Sequence, residues 1–172
     1  MFKLMGALML VSACGYAGWH VSGNYARRPV ELRQFIAALQ MLETEVTYAA
    51  TPLPDALAGI AERVDPGVSL FFDHAAKELK TARGTSAREA WSTALQSYRA
   101  VSTLDRGDLS ILNSLGHNLG LSDRENQVKH LRLTLEQLKM AQARAEETAA
   151  KNVKLWNYVG LLGGLIIVLA LY

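Results

Sequence analysis

The chain has 172 residues, half of them apolar, with 18 Lys and Arg against 16 Asp and Glu and one cysteine, Cys14. A single cysteine excludes a disulfide framework and any metal site built from several thiolates. The near balance of charge, with no Lys/Arg cluster interleaved with aromatics, argues against a nucleic-acid surface.

The first element is an apolar run. From Leu4 to Ala26 there is no acidic or strongly basic side chain, and only His20, Ser22 and Asn24 are notably polar. At about 1.5 Å per residue, some twenty helical residues cross a ~30 Å hydrocarbon core, so residues 1–26 are expected to be an N-terminal transmembrane helix. The stretch "LVSACG" offers a competing reading. A small residue before Cys14 and Val11 three positions ahead resemble a lipoprotein cleavage box, which would remove the first thirteen residues and place a lipid-anchored domain outside the cell. A signal peptide's apolar region is shorter, about 7–15 residues behind a basic leader. Here the run continues to about Tyr25 and the arginine pair, Arg27 and Arg28, lies on its far side. The expectation is therefore an uncut helix in which Cys14, Gly18 and Ser22, four apart, form a small-residue packing stripe.

Residues 27–154 read as one helical block of single-domain length, with no run of strand-like alternation. Pro29 suits a first helical position, and Leu32, Phe35, Leu39, Leu42, Val46 and Ala49 follow at steps of three and four. "TPLP" (51–54) ends that helix, because residues before proline avoid helical backbone. A short helix from Pro54 to Val64 follows, then a turn at "DPG" (65–67) and a helix carrying Phe71, Phe72, Ala75 and Leu79. Ser86 with Glu89 forms a capping box ahead of Trp91, Leu95 and Tyr98. Asp105 caps a fifth helix with Leu109, Leu112, Leu115 and Leu119.

After a second capping box, Ser122 with Glu125, no proline or glycine occurs until Gly160. Val128, Leu131, Leu135, Leu138, Ala141, Ala145 and Ala149 make an apolar stripe. One helix of about fifty residues, roughly 75 Å, is expected to run through an alanine-rich stalk into a second span, 155–172. Gly160 and Gly164 form a GxxxG packing pattern there. Lys and Arg cluster on the inner flanks (Arg27, Arg28, Arg33, Arg144, Lys151, Lys154), with only Lys3 outside, so the positive-inside rule makes the helical block cytoplasmic. The whole is an all-α chain, a single bundle of about six helices flanked by two transmembrane helices.

The residues offer no catalytic constellation. His74 and Glu78, four apart, lack the third ligand zinc needs. Glu43 and Glu45, two apart on a helix, point in different directions and are not an acid/base pair. "RGD" (106–108) reads as the first turn after the Asp105 cap rather than as an adhesion motif. With no phosphate loop, nucleophile elbow, zinc-protease motif or dinucleotide fingerprint, the expectation is a non-enzymatic protein without cofactor or metal.

Three stretches carry a family resemblance: "RRPVELRQFIAALQMLETEVTYAATPLPDAL" (27–57), "LGLSDRENQVKHLRLTLEQL" (119–138) and "KNVKLWNYVGLLGGLIIVLAL" (151–171). They closely resemble the stage III sporulation protein AB family of endospore-forming bacteria. The resemblance implies a subunit of the channel apparatus between mother cell and forespore, with a soluble domain similar to the helical cytoplasmic domain of type II secretion and type IV pilus platform proteins. It implies the mother-cell membrane, and as partners the products of the sporulation III A operon, including a secretion-type ATPase and small multi-span membrane subunits. Secretion platforms carry two such domains, so one domain here implies oligomers or sister subunits. The family-like polar positions are Arg33, Gln34, Glu43, Glu45 and Tyr48, then Asp123, Arg124, Gln127, Lys129 and His130. Two roles stay open for them: a partner-docking surface, or a buried polar network locking the first helix onto the last. A membrane-anchored adaptor that relays signals as a homo-oligomer is the alternative to the channel subunit.

Overall fold

The computed structural model describes residues 26–49, 51–81, 84–120 and 124–171, with side chains described as far as Leu155 except at 153 and 154. Every regular element among them is helical. Helix α1 covers 26–44 and closes in a π-turn, Glu45–Ala49; α2 is Leu53–Ala61, α3 Pro66–Thr81, α4 Ala87–Tyr98, α5 Arg106–Asn118 and α6 Arg124–Leu171. Two compact units divide the chain, one of Val30–Gln142 and one of Met1–Pro29 and Ala143–Tyr172.

Local sequence explains most boundaries in the larger unit. At α4 the Glu89 N–H donates to Ser86 Oγ at 3.2 Å and the Ser86 N–H donates to Glu89 Oε2 at 2.9 Å, the expected reciprocal box. These bonds hold the Glu89 carboxyl below the usual carboxylate range. At α5, Asp105 Oδ1 accepts from the Asp108 N–H at 2.9 Å, and Asp108 returns the bond. Asp108 is thus buried in the cap, not displayed as part of an adhesion motif.

Three boundaries differ from expectation. Residues 26–28 are already helical, so Pro29 does not open α1; its fixed φ fits helical backbone. Helix α2 stops at Ala61 rather than Val64, in a tighter turn where the Arg63 N–H bonds Ile60 O at 2.9 Å. "DPG" is a helix start rather than a separate turn: Pro66 takes the first position and the Ser69 N–H bonds Asp65 O at 2.8 Å. The second capping box lies at Ser122, outside the described residues.

The apolar face of α1 (Leu32, Phe35, Leu39, Leu42) meets an aromatic cluster. Phe71 is its hub, with ring centroids 5.5 Å from Phe35, 5.1 Å from Phe72, 4.7 Å from Trp91 and 5.8 Å from Tyr98. Edge-to-face pairs of this kind add about 0.5–1.5 kcal/mol each beyond area burial. Helix α2 packs on α3, α3 on α4 and α4 on α5.

One contact ties α1 to the α4–α5 loop. The Glu31 carboxylate accepts from Tyr98 OH at 2.6 Å, the Thr103 N–H at 2.8 Å, and the hydroxyls of Ser102 and Thr103. Burial first, and the bond to Glu31 second, push the Tyr98 phenol above its ordinary value. A phenol raised in the folded state contributes stability in full below its unfolded value, about pH 10, and loses it as pH rises further. Urea midpoints should hold level to about pH 10 and then fall, and Tyr98→Phe should remove this group's share of the fall.

In the smaller unit, α6 continues unbroken to Leu171, with a Lys151–Glu147 pair at 2.7 Å on its surface. Among the described residues no helix is long and apolar enough to cross a membrane. The expected first span, with Cys14, Gly18 and Ser22, lies outside the described residues apart from Ala26. The expected second span is helical backbone as far as Leu171, Gly160 and Gly164 included, and its side chains beyond Leu155 lie outside the description.

Candidate functional site

The end of α1 is where the sequence's polar positions converge. A π-turn inserts an extra residue into the hydrogen-bond ring, so carbonyls there lose their ordinary partners; such turns recur at functional sites. Here Arg124, at the start of α6, donates its Nε–H to Val46 O at 2.6 Å. Glu45 accepts from Thr51 Oγ1 at 2.8 Å, bracing the turn against the segment before α2. Glu43 pairs with Arg132 Nε at 2.6 Å, which keeps the guanidinium pKa raised.

These contacts frame an open groove of about 770 Å³ lined by Thr47, Glu125, Val128, Lys129 and Arg132, with Arg124 at one end. A smaller hollow of about 350 Å³ joins Val46, Thr51, Leu53, Arg124 and Gln127. Arg124, Lys129 and Arg132 face Glu125 there, and with Arg132 neutralised by Glu43 the larger groove keeps a small positive excess. Thr47 Oγ1, on its wall, is buried without a hydrogen-bond partner among the described residues. An orphaned buried hydroxyl costs about 1–3 kcal/mol, and native proteins keep few of them.

The structure gathers Glu43, Glu45, Arg124, Gln127 and Lys129 at this end of the bundle, with Tyr48 beside them on the turn, 82% exposed. Asp123 lies outside the described residues. His130 is half-buried and lines neither groove. Arg33 and Gln34 lie earlier on α1, and Gln34 donates to Asp65 between α2 and α3. A lock between the first and last helices exists, through Glu43 and Arg132. This ion pair is a surface contact, since the Arg132 side chain is 67% exposed. Of the groove residues, only Arg124 and Lys129 were singled out from sequence as site positions; Thr47, Glu125, Asn126, Val128 and Arg132 were not. Arg132 follows Lys129 by three, a spacing that places both on one helical face and could have flagged it. Among the described residues no cluster of His, Cys, Asp and Glu could hold a metal.

Fold and groove together define an all-α helical-bundle protein with a long final helix and a cationic groove beside a π-turn. The chain belongs to the stage III sporulation protein AB family, whose family model, described as Stage III sporulation protein AB, matches residues 3–172. The Stage III sporulation protein AB of Bacillus subtilis (strain 168) is 36% identical over 171 residues, 99% of each chain. A solved structure of a Stage III sporulation protein AB superposes with a TM-score of 0.69 at 35% identity, covering 72% of this chain and 97% of that one.

Proposed function

We propose that this chain is a non-enzymatic membrane subunit of the mother cell–forespore channel apparatus, an adaptor between its membrane complex and a cytosolic secretion-type ATPase. Residues 1–26 and 155–172 are the two spans, in the mother-cell membrane that surrounds the forespore, and the helical block faces the mother-cell cytoplasm. The small multi-span subunits meet the spans, and the ATPase meets the groove. The observation that carries this reading is the groove itself, a concavity with a net positive lining whose Thr47 hydroxyl has no hydrogen-bond partner among the described residues.

Two measurements test it. Reporter fusions at Thr85 and at the carboxyl terminus should place the loop inside and the end outside; an external loop reporter removes the ATPase as a direct partner. Thr47→Val should leave stability unchanged or raise it by about 1 kcal/mol, because the orphan hydroxyl is gone. The same variant, and Lys129→Glu on the exposed rim, should reduce co-purification with the ATPase and block sporulation late. Unchanged co-purification in both variants sinks the groove as the docking site.

One observation favours the homo-oligomeric adaptor. Leu133 and Met140 are 56% and 55% exposed and seven residues apart on α6, one heptad on an outward face. Leu133→Glu with Met140→Glu should dissociate such an oligomer and leave a channel subunit's ATPase binding intact.

A further inference from the structure

A second concavity, far from the π-turn in sequence, lies between α4 and α5. Trp91 meets Leu112 and Gly116, and Leu95 and Leu109 share a groove, so the two helices run antiparallel. Leu95 and Leu109 supply apolar walls to this groove of about 600 Å³. Arg99 and Arg106 stand at its loop end and Ser92 and Asn113 at the other. From Ser92 to Arg99 is about two helical turns, roughly 10 Å.

No acidic side chain lines the groove, and neither arginine joins an ion pair or side-chain hydrogen bond among the described residues. Several other surface cations do pair with carboxylates: Lys77 with Asp73, Lys80 with Asp55, Lys139 with Glu136. Fold stability accounts for Arg99, a cation at the C-cap of α4 where the helix dipole favours it. It does not account for Arg106, the first residue of α5, where a positive charge opposes the dipole. The loop joining them is held by Glu31 through Ser102 and Thr103, so both guanidiniums spring from a fixed frame. Val101 in that loop is 68% exposed.

We propose that the α4–α5 groove docks an acidic, amphipathic segment of a partner protein. Its apolar side chains lie against Leu95 and Leu109, and its carboxylates meet Arg99 and Arg106 at the loop end. A concave groove with apolar walls, cations at one end only and neutral hydrogen-bonding groups at the other suits a helix of about two turns better than a planar lipid surface. The unfavourable placement of Arg106 is the cost of that recognition, and the rigid loop limits the entropy lost on docking.

The test places a photoreactive benzophenone side chain at Gln96 or Ser110 of the full-length protein in sporulating cells, with the cross-linked peptides then sequenced. The expected adduct maps to an Asp/Glu-bearing segment of another protein. Arg99→Glu with Arg106→Glu should lower its yield at least about tenfold, since like charges then face each other. Lysines placed at the mapped carboxylates should restore it. Arg106→Glu alone should leave the melting temperature unchanged or raised, which separates docking from a structural role. Adducts to lipid or to a second copy of this chain, a mapped segment without carboxylates, no adduct at all, or a yield unmoved by the double reversal would each overturn the proposal.

Discussion

Replacing Trp91 with alanine should lower the free energy of unfolding by about 3–5 kcal/mol, the range for deleting a fully buried aromatic. Trp91 is 1% exposed, touches Phe71 and Phe72, and donates its indole N–H to Leu112 O at 2.8 Å. It therefore joins α3, α4 and α5 in one contact. Its neighbour provides the control. A Cβ added at Gly116 would lie 2.3 Å from Trp91 Cδ1, so α5 approaches the indole as closely as it does only because residue 116 has no side chain. Gly116→Ala alone should destabilise by about 1–3 kcal/mol through overpacking. In the Trp91→Ala background the same change should cost little or stabilise, because the added methyl enters the space the indole leaves. Chemical denaturation of the four proteins in a double-mutant cycle checks this. Additive effects would mean that α5 does not rest on Trp91.

Removing the Glu31 carboxylate should have the second largest effect. Glu31→Ala leaves the Thr103 N–H and three hydroxyls without their common acceptor, and hydrogen bonds to a charged group contribute about 1.5–3 kcal/mol each. Water reaches this half-buried site and relieves part of the loss, so the expected cost is about 2–4 kcal/mol. Glu31→Gln keeps one acceptor oxygen and should fall between the wild type and Glu31→Ala. Hydrogen exchange adds a local readout: the amides of Thr103 and Leu104 should lose protection in Glu31→Ala while those in α2 and α3 keep theirs. Uniform loss across the bundle would show that Glu31 acts on global folding rather than by pinning the loop.

The two predictions mark where sequence reading works and where it stops. The caps at Ser86–Glu89 and Asp105–Asp108 were legible because donor and acceptor lie three residues apart and need no tertiary partner. The faces of α1 and α6 were legible from their spacing along most of their length: Leu32, Phe35, Leu39 and Leu42, and Leu131, Leu135, Leu138 and Ala145, are buried, whereas Val46, Val128, Ala141 and Ala149 are half-buried and Ala49, on the π-turn, is exposed. At the groove, family-like positions pointed to Arg124, Gln127 and Lys129 beside the end of α1. The ion pair of Glu43 with Arg132 and the unpartnered Thr47 hydroxyl were not visible, because they arise only when two helices remote in sequence pack at one register.

The sequence by itself determined an all-α chain, its helix order, its caps, and a family membership that spans almost its whole length. Those follow from side-chain periodicity, short-range hydrogen bonding and long matched stretches. Only the tertiary structure decided that Glu31 pins a loop some seventy residues away, that Gly116 is the seat of Trp91, and that Arg99 and Arg106 flank an open groove without acidic partners among the described residues. Each depends on which faces meet across packed helices, and a one-dimensional pattern of apolar spacing leaves that choice open, since it specifies that a face is buried but not what buries it.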